Sequence, residues 1–205
     1  MKLKLFIIII LTLTNLKLLS EQNNLGIYAG IEFKPAFVSD EISFFSGARA
    51  GVIFNQNIGL GIGLYSMTFN NYKPNFFDEK IQSQPFLEYN YYGLDLEYFL
   101  FPQKDFYTSF HLFAGRGRGN LNISEINIEQ SLNYEPQYLN VGYFTVLEPG
   151  ANFYLKLRDY YRIVFGIGYR IALNADLKFT GTTIEMTNSR LSGFYANFSI
   201  LFGSF

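Results

Sequence analysis

The chain has 205 residues with 16 basic and 17 acidic side chains, a formal net charge of −1. This is one ordinary domain, or one domain plus a removable segment, and it lacks the basic excess that a nucleic-acid-binding face needs. Cysteine is absent, which excludes disulfides, thiolate metal sites and a lipid-modified cysteine.

Aromatic residues make up 19 % of the chain, charged residues only 16 %, against roughly 25 % charged in soluble domains. With 23 Phe and 16 Tyr, strand formers prevail over helix formers.

The first residues read "MKLKLFIIIILTLTNLKLLSEQNN". Lys2 and Lys4 open it, an apolar run from Leu5 to Leu13 follows, and Ser20 precedes polar "EQNN", the order of a secretory signal peptide. The segment Phe6 to Leu16 is shorter than the roughly 20 apolar residues of a membrane-crossing helix. Residues 1–20 are therefore expected to be a signal peptide and residues 21–205 the mature domain. Without Lys2, Lys4 and Lys17, 13 of the 16 basic residues remain against all 17 acidic ones.

Beyond the signal the apolar residues recur with period two, the mark of half-buried strands. Eight strands are predicted, over Asn24–Val38, Phe44–Phe54, Ile58–Phe69, Phe86–Phe101, Phe106–Arg118, Tyr138–Leu157, Arg162–Asn174 and Leu191–Phe205. In the first, Leu25, Ile27, Ala29, Ile31 and Phe33 oppose Gly26, Tyr28, Gly30, Glu32 and Lys34. The third alternates Ile58, Leu60, Ile62 and Leu64 with Gly59, Gly61, Gly63 and Tyr65. The last sets Phe194, Ala196, Phe198, Ile200 and Phe202 against Gly193, Tyr195, Asn197, Ser199 and Gly203.

The connections alternate in length. Short ones are predicted at 55–57, 102–105 and 158–161, and longer ones at 39–43, 70–85, 119–137 and 175–190. Several strands exceed the 5–6 residues typical of soluble sheets and match the 9–11 of a tilted membrane-crossing strand. Aromatic clusters such as "YNYY", "EYFLF" and "RDYY" sit near strand ends, where interfacial girdles lie. The expected fold is all-β: a closed antiparallel up-and-down transmembrane β-barrel of eight strands. A soluble carrier barrel would alternate too, with an apolar interior and a charged outer face; the period does not separate the two.

On the transmembrane reading the polar faces line the lumen. Glu32, Asp95, Glu97 and Glu148 then meet Lys34, Arg49, Lys156 and Arg170, four acids against four bases. Such pairing is what a buried charge demands, and it predicts a filled lumen. The lumen glycines leave room for Tyr28, Tyr65, Tyr154 and Tyr195; a narrow solute channel is the competing expectation.

The layout, the stretch "EPGANFYLKL" (Glu148 to Leu157) before a tight turn, and a terminal strand with an aromatic end make the chain resemble the small eight-stranded outer-membrane barrels of the OmpA and OmpW type. The resemblance implies a bacterial outer-membrane location and recognition by the barrel-assembly machinery through the last strand, with Phe198, Phe202 and Phe205 as its signal. Phe205 falls in phase with the polar face. Either Phe202 is the anchor and "GSF" trails, or a bulge near Gly203 restores the phase.

No cofactor, metal or catalytic group is expected. Ser109 and the only histidine, His111, share a strand face and could suggest a lipid hydrolase, but two residues apart they lie roughly 7 Å from one another, and a polar lumen filling is the simpler reading. "AGRGRGN" (114–120) lacks the helix of a phosphate loop; Arg116 and Arg118 lie where the fifth strand leaves the membrane and suit lipid or lipopolysaccharide headgroups. Asp78, Glu125, Glu129, Glu135 and Glu185 in the loops have no calcium-loop spacing. Those loops are where an extracellular or host ligand would be met.

Overall fold

The computed structural model describes residues 25–70, 85–123, 137–178 and 185–205. The predicted signal peptide, and the loop residues Asp78, Glu125, Glu129 and Glu135, lie outside them. Eight long strands form the wall: β1 (Leu25–Val38), β2 (Glu41–Phe54), β3 (Ile58–Asn70), β4 (Pro85–Leu100), β5 (Phe106–Ile123), β6 (Gln137–Arg158), β7 (Tyr161–Leu173) and β10 (Gly193–Ser204). Between β7 and β10 come a small hairpin, β8 (Asp176–Lys178) with β9 (Glu185–Thr187), and a single helical turn, α1 (Asn188–Leu191).

Every neighbouring pair in the wall is antiparallel, and β1 pairs with β10 to close the ring. Closure leaves no unpaired strand edge, which is how a sheet satisfies all its backbone groups in an apolar medium. The chain ends where Gly203 pairs with Tyr28 and Ser204 with Ile27.

Which face points outward decides between the two kinds of barrel. Ile31 (66 % exposed), Ile62 (57 %), Leu94 (60 %), Phe110 and Ile167 all point out, whereas Glu32, Arg49, Asp95, Glu97, Glu148 and Arg170 are buried inside. The outer wall is apolar and the interior charged, the reverse of a soluble carrier.

The largest boundary differences from the predicted strands lie at the loop end, where the last strand also begins at Gly193 because Leu191 belongs to α1. The connection predicted at 39–43 is a two-residue turn: Val38 pairs with Glu41, and Ser39 and Asp40 take positive φ values of 53° and 64°. Such turns suit the strand twist but favour Asn-Gly, so Ser-Asp gave no turn signal. At the same end β5 and β6 run to Ile123 and back from Gln137, taking into the sheet residues predicted as loop. The helical turn α1 is too short to show a periodicity.

Glycines on the inner face make room for rings. Gly63, Gly93 and Gly115 lie opposite one another across β3, β4 and β5. A Cβ on Gly63 would meet the Tyr65 ring at 2.8 Å, and one on Gly93 would run into the Ala114 carbonyl oxygen of β5. A side chain at Gly93 has no flexible neighbour to displace. Gly93→Val is therefore expected to abolish the folded, heat-modifiable band in gel electrophoresis, whereas Ala114→Val, on the outer face next door, is expected to keep it; equal mobility of both variants would contradict the packing described.

Candidate functional site: a charged lumen between two aromatic plugs

Three layers fill the barrel. At the end with the short turns, Tyr28, Ile53, Phe99, Tyr107, Tyr154, Val164 and Leu201 pack together, joined by Phe205. At the loop end a larger cluster includes Phe45, Tyr65, Leu87, Tyr89, Tyr91, Phe113, Phe144 and Tyr195. Its cap is Leu191 of α1, wholly buried beside Val38 and Ala175. The Ser39 amide donates to the Arg190 carbonyl, at 2.6 Å, tying the β1–β2 turn to this cap.

The middle layer holds the charges. Glu148 accepts from the Lys34 ammonium at 2.8 Å and from the Tyr91 hydroxyl at 2.9 Å, with Arg170 Nε at 3.5 Å. Lys34 also lies 3.3 Å from Glu32 and 3.8 Å from the Tyr65 ring centre. Arg49 reaches Glu32 and Asp95 at 3.5 Å and Glu97 at 3.6 Å, and donates to the Tyr154 hydroxyl. Glu97 accepts from Tyr154 at 2.6 Å, from the Asn152 amide at 2.8 Å, and from Ser109. The Ser199 hydroxyl donates to Glu32 at 2.9 Å.

Seven of the eight charges expected to meet inside do so. Lys156 does not. It occupies the last inward position before the β6–β7 turn, where the register shifts between Lys156 and Arg158, and its ammonium pairs with Asp159 at 2.9 Å. Inward travel would take it past Tyr154 and Tyr107, whose rings stack at 4.8 Å. His111 stands in the network instead, with Nδ1 3.4 Å from Asp95 and Nε2 3.0 Å from the Tyr195 hydroxyl.

Arg170 is held differently from the rest. It is fully buried with its guanidinium 4.5 Å from the Phe45 ring centre and 5.1 Å from that of Tyr89, so rings replace most of the expected hydrogen bonds. Cation–π contacts of this kind strengthen when desolvated.

Arg162, outside the predicted set of lumen charges, shares the phase of Arg170. Its guanidinium donates to the carbonyls of Arg158 and Tyr161 and covers the Phe205 ring at 4.4 Å. Phe205 in turn lies over Tyr28 at 6.3 Å. No bulge interrupts the β1–β10 register, so Phe205 stays in phase with the lumen, and "GSF" is paired strand and inner plug instead of a trailing end. Phe198 and Phe202 face outward, as the alternation requires.

The arrangement bears on chemistry. Ser109 is bound to Glu97 and His111 to Asp95 and Tyr195, so each is held by other groups of the lumen. Among the described residues no three His, Asp or Glu side chains converge as a metal site. The carboxylates are matched by cations and hydroxyls.

No protein-family model and no curated protein matches the chain. Solved structures do. Neisserial surface protein A shares 10 % identity at a TM-score of 0.51, with 87 % of this chain and 96 % of that one covered. A major outer membrane protein from Thermus thermophilus shares 9 % at a TM-score of 0.55, with 87 % and 98 % covered. The fold is that of the small outer-membrane β-barrels. At these identities the likeness is one of fold alone.

Removing one member of a buried pair leaves an uncompensated charge, at a cost of about 3–5 kcal/mol. Glu148→Ala is expected to lower stability by about that amount in urea unfolding of the vesicle-inserted barrel. Lys156→Ala is expected to leave the midpoint nearly unchanged, because its partner Asp159 is out in solvent; similar losses in both would contradict the placement of Lys156.

Proposed function

We propose that this chain is an integral protein of the bacterial outer membrane, non-enzymatic, whose filled barrel is a rigid support for surface-exposed strand ends and loops. The observation that carries the reading is the outer wall. Phe110, Leu112 and Ala114 on β5 and Tyr92, Leu94, Leu96 and Tyr98 on β4 all face out. From Phe106 to Ala114 the strand rises about 20 Å at the ~40° tilt of such barrels, close to their ~25 Å lipid-facing band.

Aromatic residues fringe both ends of this belt. Phe54, Phe101, Phe106, Tyr160 and Phe202 are exposed at the turn end, and Phe37, Phe69, Tyr92, Tyr143 and Phe194 toward the loop end. Girdles of this kind sit at the two membrane interfaces. A surface so apolar on a protein in water would be an aggregation hazard; facing hydrocarbon it is solvated.

The plugs above and below the charged layer argue for support and surface contact over solute passage. On this reading the outward Phe198 and Phe202 belong to the signal read by the barrel-assembly machinery, and Phe205 acts from inside as a seal. An extracellular ligand would be met at the loop end.

The cysteine-free background makes a direct test simple. A fluorophore on Ile62→Cys, Leu94→Cys or Ile167→Cys is expected to be quenched by nitroxide lipids and shielded from aqueous iodide, and one on Asp40→Cys or Gln103→Cys to behave oppositely. Iodide quenching at Leu94 in the folded protein would overturn the membrane reading.

A further inference from the structure

The outer wall is not uniformly apolar. Directly beyond Ala114, the outward positions of β5 are Arg116 and Arg118, both exposed. Their cross-strand neighbours are Tyr92 and Asn90 on β4 and Thr145 and Tyr143 on β6. The apolar belt therefore ends on this side in two arginines set among tyrosines and small polar groups.

We infer that Arg116 and Arg118, with Tyr92, Tyr143, Asn90 and Thr145 around them, form a binding site for the phosphate-bearing headgroup of a lipid in the leaflet at the loop end. The inference rests on the membrane reading above and adds the partner of that wall.

Geometry supports it. Two residues apart on one strand face, the arginines stand roughly 7 Å from each other at their Cα atoms, so two long side chains can converge on one phosphate. The Arg116 guanidinium lies 4.7 Å from the Tyr143 ring centre, which holds its plane while leaving its edges free. Arg118 Nε donates to the Asn120 side-chain oxygen at 3.3 Å, which fixes its stem. Among the described residues neither arginine has a carboxylate within salt-bridge distance, although four carboxylates sit inside the same barrel.

The chemistry fits the height. Guanidinium forks recognise phosphate oxygens in two-toothed fashion, and tyrosines prefer the headgroup level, where ring and hydroxyl meet different media. A lipid whose acyl chains lie along Leu112 and Phe110 would bring its phosphate to these two side chains. Glu88, the outward acid next along β4, pairs across with Asn120, one step beyond Arg118. It stands on the far side from the acyl belt.

The test places a fluorophore on Thr145→Cys, the cross-strand neighbour of Arg116, in the full barrel inserted into phosphatidylcholine vesicles. Nitroxide-labelled phosphatidic acid is expected to quench it at a roughly 25-fold lower mole fraction than nitroxide-labelled phosphatidylcholine, about five-fold from each arginine. Arg116→Gln and Arg118→Gln are each expected to reduce that preference roughly five-fold, and the double variant to remove it. Displacement of the labelled lipid by lipopolysaccharide would identify lipid A phosphates as the source, and displacement only by phosphatidylglycerol a phospholipid; either supports the site. Equal quenching by both labelled lipids in the inserted, labelled barrel with both arginines intact overturns the site and leaves the membrane reading standing. Failure to insert overturns both.

Discussion

Among the described residues the charges inside this barrel are partnered by each other and by the hydroxyls, the Asn152 amide and the rings around them, and the rest of the structure follows from that. The acids come from three strands, Glu32 on β1, Asp95 and Glu97 on β4 and Glu148 on β6. The groups that answer them come from four: Lys34 on β1, Arg49 on β2, His111 on β5 and Arg170 on β7. Most of these ion pairs thus bridge separate strands of the wall and fix the register as well as the charge. Buried pairs contribute little net stability against apolar packing, but breaking one is costly. The network is accordingly stronger as a specification of one closed barrel than as a source of free energy.

Ring packing completes what the charges begin. Glycines at inward positions give Tyr65 and Phe113 the space to lie against the wall, and Tyr65, Tyr91 and Phe113 contact one another over them. Rings of the same cluster lower the cost of holding cations there, since Lys34 faces Tyr65 and Tyr195 and Arg170 faces Phe45 and Tyr89. Outside, the alternate residues of the same strands are free to be apolar. One strand therefore serves two solvents, and the β4–β6 side projects beyond the apolar belt to carry its polar positions.

The alternation made both faces of every strand legible from the sequence, and with them the acids Glu32, Asp95, Glu97 and Glu148 as one set. Period two does not report which face is inside; burial does. It also says nothing of depth along the strand, which is why Lys156 was grouped with the network although it lies at the rim and turns to Asp159. Phe205 keeps its phase, and both alternatives for the terminus, a trailing "GSF" or a bulge near Gly203, come from the resemblance to related barrels and not from the alternation. Arg162 was readable by phase but lay at a predicted strand start. The Ser39–Asp40 turn and the α1 cap depend on positive φ and on the hydrogen bond from the Ser39 amide to the Arg190 carbonyl, neither of which leaves a periodic trace.

On the proposed function, the charged layer between the two aromatic clusters fills and seals the lumen. Ionic conductance of the purified barrel in a planar lipid bilayer tests this most directly. Insertion without stepwise current is expected; steady, reproducible conductance steps from the wild-type protein would show an open lumen and overturn the sealed barrel.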